Sequence, residues 1–187
     1  MDQVYLKGIQ ESSSLIEFFQ TVLKLKTIHR QGWKNHLDMK EPESVADHSY
    51  SMTVLAMVLS DLKKLDTARI IKMSLLHDLT EAVTGDLTPG QKSKPQKEKL
   101  ENAAMKKILQ GLSRQQKTEY WEIWQEYQKN SSKEARLLHQ IDKLEMAIQA
   151  NEYKNLGFTK KQLAPFLESA RAATTDPQLR KLFSKFL

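Results

Sequence analysis

The sequence predicts an all-α fold, a bundle of about six to eight helices, on the basis of two observations. Apolar residues recur at intervals of three and four positions over most of the 187-residue chain, which is the period of amphipathic helices. Strand signals are scarce, because β-branched residues do not alternate with polar ones for more than a few positions. No linker rich in Pro, Gly or Ser divides the chain into comparable halves, so residues 1–187 are predicted to form a single domain.

The N-terminal part of the chain contains two predicted helices. The first runs from Ser14 to Thr27 and carries a helical apolar stripe, formed by Leu15, Phe18, Phe19, Val22, Leu23 and Leu25. A loop that contains Gly and Pro is expected from Ile28 to Glu43. Ser44 is then predicted to be an N-cap with Asp47 three positions later, a capping-box variant that begins a helix reaching Leu62.

The remainder of the chain also reads as helices joined by short loops. A third helix is predicted from about Thr67 to Val83, with Gly85 as its terminator. The following segment, Asp86–Pro95, contains two prolines and a glycine and is predicted to be a loop. Further helices are expected near Gln96–Leu112, Arg114–Gln128, Lys133–Lys154, Lys160–Ala172 and Gln178–Phe186.

The chain is basic, with a formal net charge of +6 and a sequence pI near 9.3. Such an excess can attract nucleic acid, a membrane surface or a phosphorylated small molecule. Lysines alternate with glutamates along the predicted helices, as in EKLENAAMKKIL, so a solvated surface is favoured over a nucleic-acid-binding face. We therefore expect neither a nucleic-acid partner nor a membrane partner.

Cysteine is absent from the chain. Disulfides, thiolate nucleophiles and cysteine-based zinc sites are therefore excluded, and histidine and carboxylate side chains remain as the strong metal ligands. The N-terminal sequence MDQVYLKGIQ lacks a basic start followed by an apolar run, and no segment approaches the roughly 18 apolar residues needed to span a bilayer. The predicted location is cytoplasmic.

The segment SLLHDLTEAVTGD, from Ser74 to Asp86, combines an apolar helix with four ionisable residues: His77, Asp78, Glu81 and Asp86. Desolvation of such groups is costly, so they normally have partners or bind an ion. An adjacent His-Asp pair near a helix end offers two ligands to a divalent ion such as Mn²⁺, Fe²⁺, Co²⁺, Zn²⁺ or Mg²⁺. By itself, however, an HD dipeptide is more often a surface pair or a capped helix end.

Two distant residues strengthen the metal hypothesis. His48 falls in the first turn of the second predicted helix, in ESVADHSYSM. Asp142 lies in LLHQIDKLEM, where Leu138 and Met146 flank it at i−4 and i+4, so its carboxylate is placed beside an apolar stripe. Such an aspartate needs a cation or a basic partner. Lys143 points about 100° away from it on the helix and is expected to be poorly placed as that partner.

The order of these residues resembles the H…HD…D signature of the HD-domain metal-dependent phosphohydrolases. Four longer motifs are similar to the branch that contains the 5′-deoxynucleotidases and the HD-domain-containing protein 2 group, namely RQGW, PESVADHSY, LLHDLTEAVTGD and IDKLEMAIQANEY. The resemblance covers roughly residues 15–155 in motif order, spacing and helical context. The helices predicted over residues 160–187 are expected to pack on this HD-domain core.

The resemblance implies a metal site and an enzyme. One divalent metal ion would be bound by His48, His77, Asp78 and Asp142. The reaction would be the hydrolysis of (deoxy)nucleoside 5′-monophosphates to nucleoside and phosphate by attack of metal-bound water. Two alternatives stay open, which are another HD-type phosphohydrolase acting on a phosphodiester or hyperphosphorylated guanosine, and a non-catalytic helical binding module.

Four further residues receive roles in this hypothesis. Glu81 is predicted to orient the attacking water or to transfer a proton, and its alternative is a surface carboxylate paired with Lys. Asp86 is predicted to protonate the leaving oxygen or to bond a sugar hydroxyl, with support of the Gly85 turn as its alternative. Arg30 is predicted to hold the phosphate and Trp33 to pack on the sugar or base, which matches the substrate loop of the family. Their alternatives are surface solvation and anchoring in the core.

Three other histidines are weighed against a role as metal ligands. His29 and His36 flank the RQGW loop and are expected at the surface, since the family motif does not use these positions. His139 lies three residues before Asp142 on the same helical face. It could orient that aspartate, although an ordinary packing role between helices is favoured.

Aromatic residues in the later helices bear on the oligomeric state. Trp121, Trp124 and Tyr127 could form the face of a homodimer or the core of a monomer. The resemblance favours a dimer, since the family often forms dimers.

Overall fold

The computed structural model describes residues 3–88 and 90–185, with side chains from residue 13 onward. These residues form helices and no β-strand; their only extended pairing is an isolated antiparallel bridge between His29 and Ser44. The all-α prediction is therefore confirmed. In the same part of the chain, no helix is long and apolar enough to cross a bilayer. The predicted end of the last helix, Phe186, lies outside the described residues.

The helices are labelled α1 to α10 in chain order. Their bounds are α1 Gln3–Lys24, α2 Gln31–Leu37, α3 Val45–Lys63, α4 Thr67–Leu76, α5 Glu81–Thr84, α6 Lys94–Ile108, α7 Arg114–Gln128, α8 Lys133–Asn155, α9 Lys160–Ala173 and α10 Pro177–Phe183. Short 3₁₀ turns follow α1 at Leu25–Thr27 and α6 at Leu109–Gly111. The bounds of α3 and of α6 to α10 lie close to the predicted ones. Helix α1 begins at Gln3 and not at the predicted Ser14, and the region around α2 and the region between α4 and α5 also differ.

Helix α2 lies inside the predicted loop over residues 28–43. It has seven residues, too few for a periodic apolar stripe to indicate a helix in the sequence. Two buried side chains, Trp33 and Leu37, attach it to the protein. Its first amide, the Gln31 N–H, donates a hydrogen bond to Asp86 Oδ2 at 2.6 Å. The helix therefore depends on tertiary contacts that local sequence patterns do not reveal.

The prediction of one continuous helix over residues 67–83 is wrong, because α4 ends at Leu76. The Ser74 carbonyl accepts a hydrogen bond from His77 Nδ1 at 2.6 Å, and the backbone then tightens into i→i+3 hydrogen bonds over the next turn. The sequence pattern could not show this break, since the residues on both sides of it are apolar. As a result, His77 and Asp78 lie at the end of a helix and not in its middle.

The predicted capping box at the start of α3 is confirmed. The Asp47 N–H donates to Ser44 Oγ at 3.1 Å, and the Ser44 N–H donates to Asp47 Oδ2 at 2.9 Å. These reciprocal bonds satisfy two backbone donors at the helix end and fix the position of its first turn. His48 lies in that turn, so the cap also determines where this imidazole enters the core.

The centre of the fold consists of α3, α4 and α8, which pack on one another. The buried apolar side chains from Leu25 to Phe183 form one cluster, with Met52 of α3, Ile70 of α4 and Ile141 of α8 among its fully buried members. Full burial of such a side chain contributes about 1.5–3 kcal/mol. Helix α7 packs on α4, while α9 and α10 pack on α8. This arrangement brings one end of α4 close to α3 and α8.

The aromatic residues of α7 belong to the core. Trp124 is completely buried and Tyr127 nearly so. Trp121 is partly buried, and its ring lies under the ammonium of Lys106 at 5.1 Å. Of the two interpretations of these residues, the monomer core therefore agrees with the structure, and a dimer face formed by them does not.

Candidate metal centre and active site

His48 is completely buried in the first turn of α3. Its Nδ1 lies 2.6 Å from Glu145 Oε2, and because a buried carboxylate oxygen accepts this hydrogen bond, Nδ1 must carry a proton. Its Nε2 lies 3.4 Å from Asp142 Oδ1 and 3.9 Å from Asp78 Oδ2. In the part of the chain that the structure describes, Nε2 makes no hydrogen bond, and it is the nitrogen available to a metal ion.

His77 presents its ring in the same way from the end of α4. Its Nδ1 lies 2.6 Å from the Ser74 carbonyl, which can only accept a hydrogen bond, so Nδ1 is the donor. Its Nε2 lies 2.9 Å from Asp78 Oδ2 without forming a hydrogen bond. The rings of His77 and His48 are 5.4 Å apart between centroids. Two buried imidazoles therefore direct Nε2 toward the same carboxylate, that of Asp78.

Asp78 connects the two histidines with Arg30. Its Oδ2 accepts a hydrogen bond from Arg30 Nη1 at 3.2 Å. Burial by itself would raise the pKa of Asp78, but His77, Arg30 and His48 together hold this pKa well below its usual range. Burial would likewise lower the pKa of Arg30, and the surrounding carboxylates, Asp78 first, raise it instead. Both groups are charged at neutral pH.

Asp142 projects from α8 into the same cluster, and Lys143 accompanies it. Lys143 Nζ lies 2.9 Å from Asp142 Oδ2, so the expectation that this lysine is poorly placed is wrong. Its four-carbon stem can return over the helix surface although its Cα–Cβ bond points elsewhere. Burial would raise the pKa of Asp142, but the contacts with His48 and Lys143 keep it well below the usual value.

The donor atoms of this cluster fit a divalent metal ion. One atom each from His48, His77 and Asp78 lies within 4.8 Å of the other two, and Asp142 borders the same His48 nitrogen. Of the four buried side-chain N and O atoms without a hydrogen-bond partner in the described residues, three belong to this region: both Nε2 atoms and Oε2 of Glu81. Two imidazole nitrogens beside two carboxylates match the ligand preferences of several transition metals. The four-residue ligand set itself stays a prediction.

Without a metal ion, the carboxylates favour a protonated imidazole at His48. Burial and Arg30 lower the pKa of His48, but the contacts with Asp142 and Glu145 outweigh them and raise it to about 9. A metal ion requires the neutral form of the ring as ligand. Ion binding at this site must therefore displace a proton at neutral pH.

Glu81, the first residue of α5, is buried beside the cluster. Its Oε2 has no hydrogen-bond partner, and the structure contradicts the alternative of a surface carboxylate paired with Lys. Burial, assisted by the charges of Asp78 and Asp86, raises the pKa of Glu81 to about 10 in the metal-free protein. A carboxyl group in such an environment can hold a proton and exchange it with a neighbouring water.

Asp86 follows α5 and connects it to the start of α2. Its Oδ2 accepts the hydrogen bond from the Gln31 N–H, next to Arg30 in the chain. This contact supports neither of the two predicted roles, proton donation to the leaving oxygen or support of the Gly85 turn. The Asp86 carboxylate instead accepts a hydrogen bond from the first residue of α2. Asp86 therefore ties α2 and the Arg30 segment to the metal cluster.

Trp33 does not offer a ring face to a sugar or base, which corrects the predicted contact. Only 2% of its surface is exposed. Its ring lies 3.8 Å from that of Phe166 and 5.1 Å from that of Tyr153, measured between centroids. Its Nε1 donates to Glu43 Oε1 at 2.7 Å. The aromatic character of the RQGW segment serves packing, and the sequence could not distinguish packing from substrate contact.

Two glutamates at the site, the buried Glu145 and the half-buried Glu43, were not predicted from the sequence. Glu145 bonds to His48, and Glu43 lies within 4.8 Å of both residues. Burial and the charge of Glu145 raise the pKa of Glu43 to about 7. A signal for Glu145 was present, because it follows Asp142 by three residues on one helical face between apolar positions. Glu43 offered no such signal, since it lies in an irregular segment.

The other three histidines do not lie in the cluster. His29 Nδ1 pairs with the Pro42 carbonyl at 2.7 Å, and the exposed His36 pairs with the carbonyl of its own helical turn. His139 pairs with the Tyr127 carbonyl at 2.9 Å and stacks on the Tyr127 ring, whose edge meets His77. The packing role favoured for His139 agrees with these contacts.

A comparison with protein-family models matches residues 22–179 to the HD domain. The chain belongs to the HD domain family. The matched residues of this HD domain include all four predicted ligands as well as Arg30, Glu81 and Asp86.

Curated proteins named 5′-deoxynucleotidase HDDC2 are similar to this HD domain over most of its length. The one from Homo sapiens is 37% identical over 173 residues, which cover 92% of this chain and 84% of the relative. The one from Dictyostelium discoideum is 39% identical over 181 residues, which cover 91% of this chain and 95% of the relative.

Solved structures share the fold. The PH0347 protein from Pyrococcus horikoshii is 32% identical and superposes with a TM-score of 0.76, covering 91% of this chain and 97% of that one. A protein from Magnetospirillum magnetotacticum described as a predicted metal-dependent phosphohydrolase is 24% identical, with a TM-score of 0.69 and coverage of 95% and 93%. At that identity the second likeness concerns the fold alone.

Proposed function

We propose that this HD domain is a metal-dependent phosphomonoesterase that hydrolyses (deoxy)nucleoside 5′-monophosphates to nucleoside and phosphate. The observation that carries the proposal is the pair of buried, unpartnered nitrogens, Nε2 of His48 and Nε2 of His77, beside the carboxylates of Asp78 and Asp142. The name 5′-deoxynucleotidase of relatives that align with nearly the whole chain supports the substrate class.

His48, His77, Asp78 and Asp142 would hold one divalent ion, with Mn²⁺, Co²⁺, Fe²⁺, Zn²⁺ and Mg²⁺ as the candidates. When bound, such an ion supplies a Lewis acid that acidifies a water molecule and neutralises charge on the phosphate. The protein contributes the fixed positions of the four side chains, which come from α3, the end of α4 and α8.

Arg30 would bind the phosphate group. Its side chain is 16% exposed and lies at the edge of the cluster, where Nη1 contacts Asp78. A guanidinium can donate two parallel hydrogen bonds to phosphate oxygens, which fixes the orientation of the phosphorus centre. The charge of Arg30 also compensates the carboxylates that surround the site.

Glu81 would transfer the proton that moves during the reaction. Because its Oε2 has no hydrogen-bond partner among the described residues, it is free to bond the attacking water. As the water oxygen bonds to phosphorus and the bond from phosphorus to the nucleoside 5′-oxygen breaks, a proton must move from the water to that leaving oxygen. With a divalent ion in the cluster, Glu81 would be ionised, and it would take up a proton from the water and return it to the leaving oxygen.

A phosphate-release screen tests the proposal. All ribo- and deoxyribonucleoside 5′-monophosphates are incubated with the protein and each candidate metal ion in turn, and inorganic phosphate is measured. We expect release from monophosphates that depends on the ion and disappears with chelator. Faster turnover of cyclic nucleotides or of hyperphosphorylated guanosine would replace the proposal by the other HD-type activity.

Metal analysis separates the enzyme from a non-catalytic helical module. Wild type, Asp142→Asn and His77→Ala are compared for bound metal after purification, with His36→Ala as the matched control because His36 is exposed and outside the cluster. We expect loss of metal in the first two variants and none in the control. Equal metal in all four proteins would contradict the four-ligand site.

We further propose that a second copy of the chain covers the outer side of α3 in a homodimer. Tyr50, Val54, Met57 and Val58 form an exposed apolar stripe there, and Tyr50 is 73% exposed. Since the opposite side of α3 is buried in the core, this helix is apolar on both sides, which is typical of a helix covered on both sides.

Light scattering should give a dimer mass for wild type and a monomer mass for Val54→Glu, and a monomeric wild type would contradict the dimer.

The predicted cytoplasmic location also stays a proposal. Its support is the proposed nucleotide substrate, together with the lack of cysteine in the chain. Fractionation of cells that produce the tagged protein, with detection in the cytoplasmic fraction, tests it.

A further inference from the structure

Glu145 is a buried carboxylate for which the proposed reaction has no direct use. It lies on α8, three residues after Asp142, and only 3% of its surface is exposed. Its Oε2 is 2.6 Å from Nδ1 of His48, which lies 97 positions earlier in the chain. A carboxylate at this depth is costly to desolvate, so its presence needs a specific reason.

We propose that Glu145 is a positioning residue that makes His48 a competent metal ligand. By accepting the Nδ1–H hydrogen bond, it keeps the proton on Nδ1 and leaves the lone pair of the neutral ring on Nε2, the nitrogen that faces Asp78 and Asp142. A carboxylate behind a ligating imidazole also increases the basicity of the ligating nitrogen. The proposal rests on the metal site of the proposed function.

The two histidines of the cluster differ in this respect. His77 is oriented by the backbone carbonyl of Ser74, which is neutral and unaffected by side-chain substitution. His48 is oriented by the side chain of Glu145, which can carry a full negative charge. The strength of metal binding can therefore be altered at His48 by a single substitution, whereas no equivalent substitution exists for His77.

Glu43 lies beside Glu145 and His48, and Trp33 bonds to Glu43. The Glu43 carboxyl lies within 4.8 Å of the ligand atoms of His48 and Glu145, and it accepts the Trp33 Nε1–H at 2.7 Å. The Glu43 backbone N–H donates a hydrogen bond to the Tyr153 hydroxyl oxygen at 2.9 Å. Trp33 and Tyr153 thus fix the position of Glu43 next to His48 and Glu145.

The same three groups, Glu43, His48 and Glu145, do not form a second metal site. His48 Nδ1 already donates its proton to Glu145, so this nitrogen has no lone pair for another ion. One oxygen of Glu43 is occupied by the indole of Trp33. The arrangement therefore supports the ion at Nε2.

Metal affinity of Glu145 variants tests the proposal. Titration calorimetry with Mn²⁺ compares wild type, Glu145→Gln and Glu145→Leu, with the exposed Glu152→Gln on the same helix as the matched control. Glutamine keeps an acceptor oxygen but loses the charge, and we expect roughly tenfold weaker binding. Leucine loses both, and we expect about 100-fold weaker binding, while the control is unchanged.

A second measurement does not depend on any variant. In the zinc-loaded wild type, ¹⁵N chemical shifts of the imidazoles report which nitrogen of His48 carries the proton. We expect protonated Nδ1 and metal-bound Nε2. A metal-bound Nδ1 would overturn the proposal even if the leucine variant did not fold.

The outcomes separate this inference from the proposed function. If Glu145→Gln binds Mn²⁺ as tightly as wild type, the positioning role is wrong and the metal site stands. If the affinity series is as expected but no nucleotide releases phosphate, the positioning role stands and the proposed reaction is wrong. Absence of metal binding by wild type would overturn both.

Discussion

Proton positions on single residues decide what the cluster can bind. Both imidazoles use Nδ1 for a hydrogen bond within the protein, one to Glu145 and one to the Ser74 carbonyl. Both therefore present Nε2, and the carboxylates of Asp78 and Asp142 surround these nitrogens without satisfying them. The negative charge of these carboxylates requires a cation nearby. In the metal-free protein, protons and nearby basic side chains supply part of that positive charge.

Glu81→Gln tests the proton role at the residue scale. We expect kcat to fall by about 10²–10⁴-fold, because the amide cannot take up a proton, while the affinity for Mn²⁺ changes little. Phosphate release and titration calorimetry measure the two quantities, with the exposed Glu98→Gln as control. A kcat close to that of wild type would exclude proton transfer by Glu81.

Lys143→Met tests the ion pair that the structure shows at Asp142. The ammonium repels a divalent ion and occupies Asp142 Oδ2, so its removal should strengthen Mn²⁺ binding by roughly two- to fivefold, a small effect because the lysine is partly exposed. Calorimetry of this variant beside the exposed Lys154→Met provides the comparison. Weaker binding in Lys143→Met alone would mean that the lysine supports the site.

Helix α2 shows how a short element can depend on one distant side chain. Asp86 accepts its first amide hydrogen bond, and the preceding residue, Arg30, contacts Asp78. The carboxylate of Asp86 thus connects the segment after α5 to the segment proposed to bind phosphate. Loss of a comparable helix cap costs about 1 kcal/mol.

Two variants of Asp86 distinguish its two possible tasks. Asparagine retains an oxygen for the Gln31 N–H, whereas alanine does not. If Asp86 positions the Arg30 segment, Asp86→Ala should raise KM by roughly five- to tenfold and Asp86→Asn should raise it less, with the pH profile of kcat unchanged. If both variants lose kcat equally, Asp86 is the proton donor that the sequence suggested.

The junction between α1 and the turn after α6 is equally dependent on one residue. A Cβ on Gly111 would lie 2.2 Å from the Ser14 carbonyl oxygen. At this distance the two atoms clash, and the backbone would have to move to separate them. We expect Gly111→Ala to reduce the free energy of unfolding by about 1–3 kcal/mol. Denaturant unfolding measures this, and Gly32→Ala, where the new methyl meets a side chain at 3.4 Å, is the control.

At the scale of the whole molecule, the charges of the site connect stability with pH and metal. The folded metal-free protein holds protons on His48, with a pKa of about 9, and on Glu81, with a pKa of about 10, both above their ordinary values. Unfolding releases these protons at neutral pH. The stability that they contribute is present below the ordinary pKa and is lost as the pH rises through the folded pKa.

We therefore expect the Tm of the protein in chelator to fall between pH 7 and pH 9. Mn²⁺ at about 100 times its Kd should raise Tm by about 5–10 °C. The increment should be larger at pH 8.5 than at pH 6.5 when the Mn²⁺ concentration is held constant, because the ion competes with the proton on His48. Thermal unfolding with and without Mn²⁺ across this range is the measurement. A Tm increment independent of pH would contradict a histidine ligand that must lose a proton.

Prediction from the sequence was most successful where the signal is local. The apolar stripes and caps predicted α3 and the later helices, because helical periodicity and the Ser44–Asp47 capping box involve residues within a few positions of one another. The prediction was wrong where tertiary packing determines the surroundings of a side chain. Trp33 was assigned to the substrate although its ring is enclosed by Phe166 and Tyr153, and an aromatic residue in a loop motif looks the same in either role.

The sequence by itself determined the all-α class, the order of the chemically important residues and, through the H…HD…D pattern, the kind of ion chemistry they suit. Only the tertiary structure decided which atoms meet. The contact between His48 and Glu145, the break after α4 and the tie between Asp86 and α2 join residues through packing or through a local backbone change. The physical reason is that helix formation follows from local periodicity, whereas the hydrogen-bond partner of a buried group depends on which helices pack together.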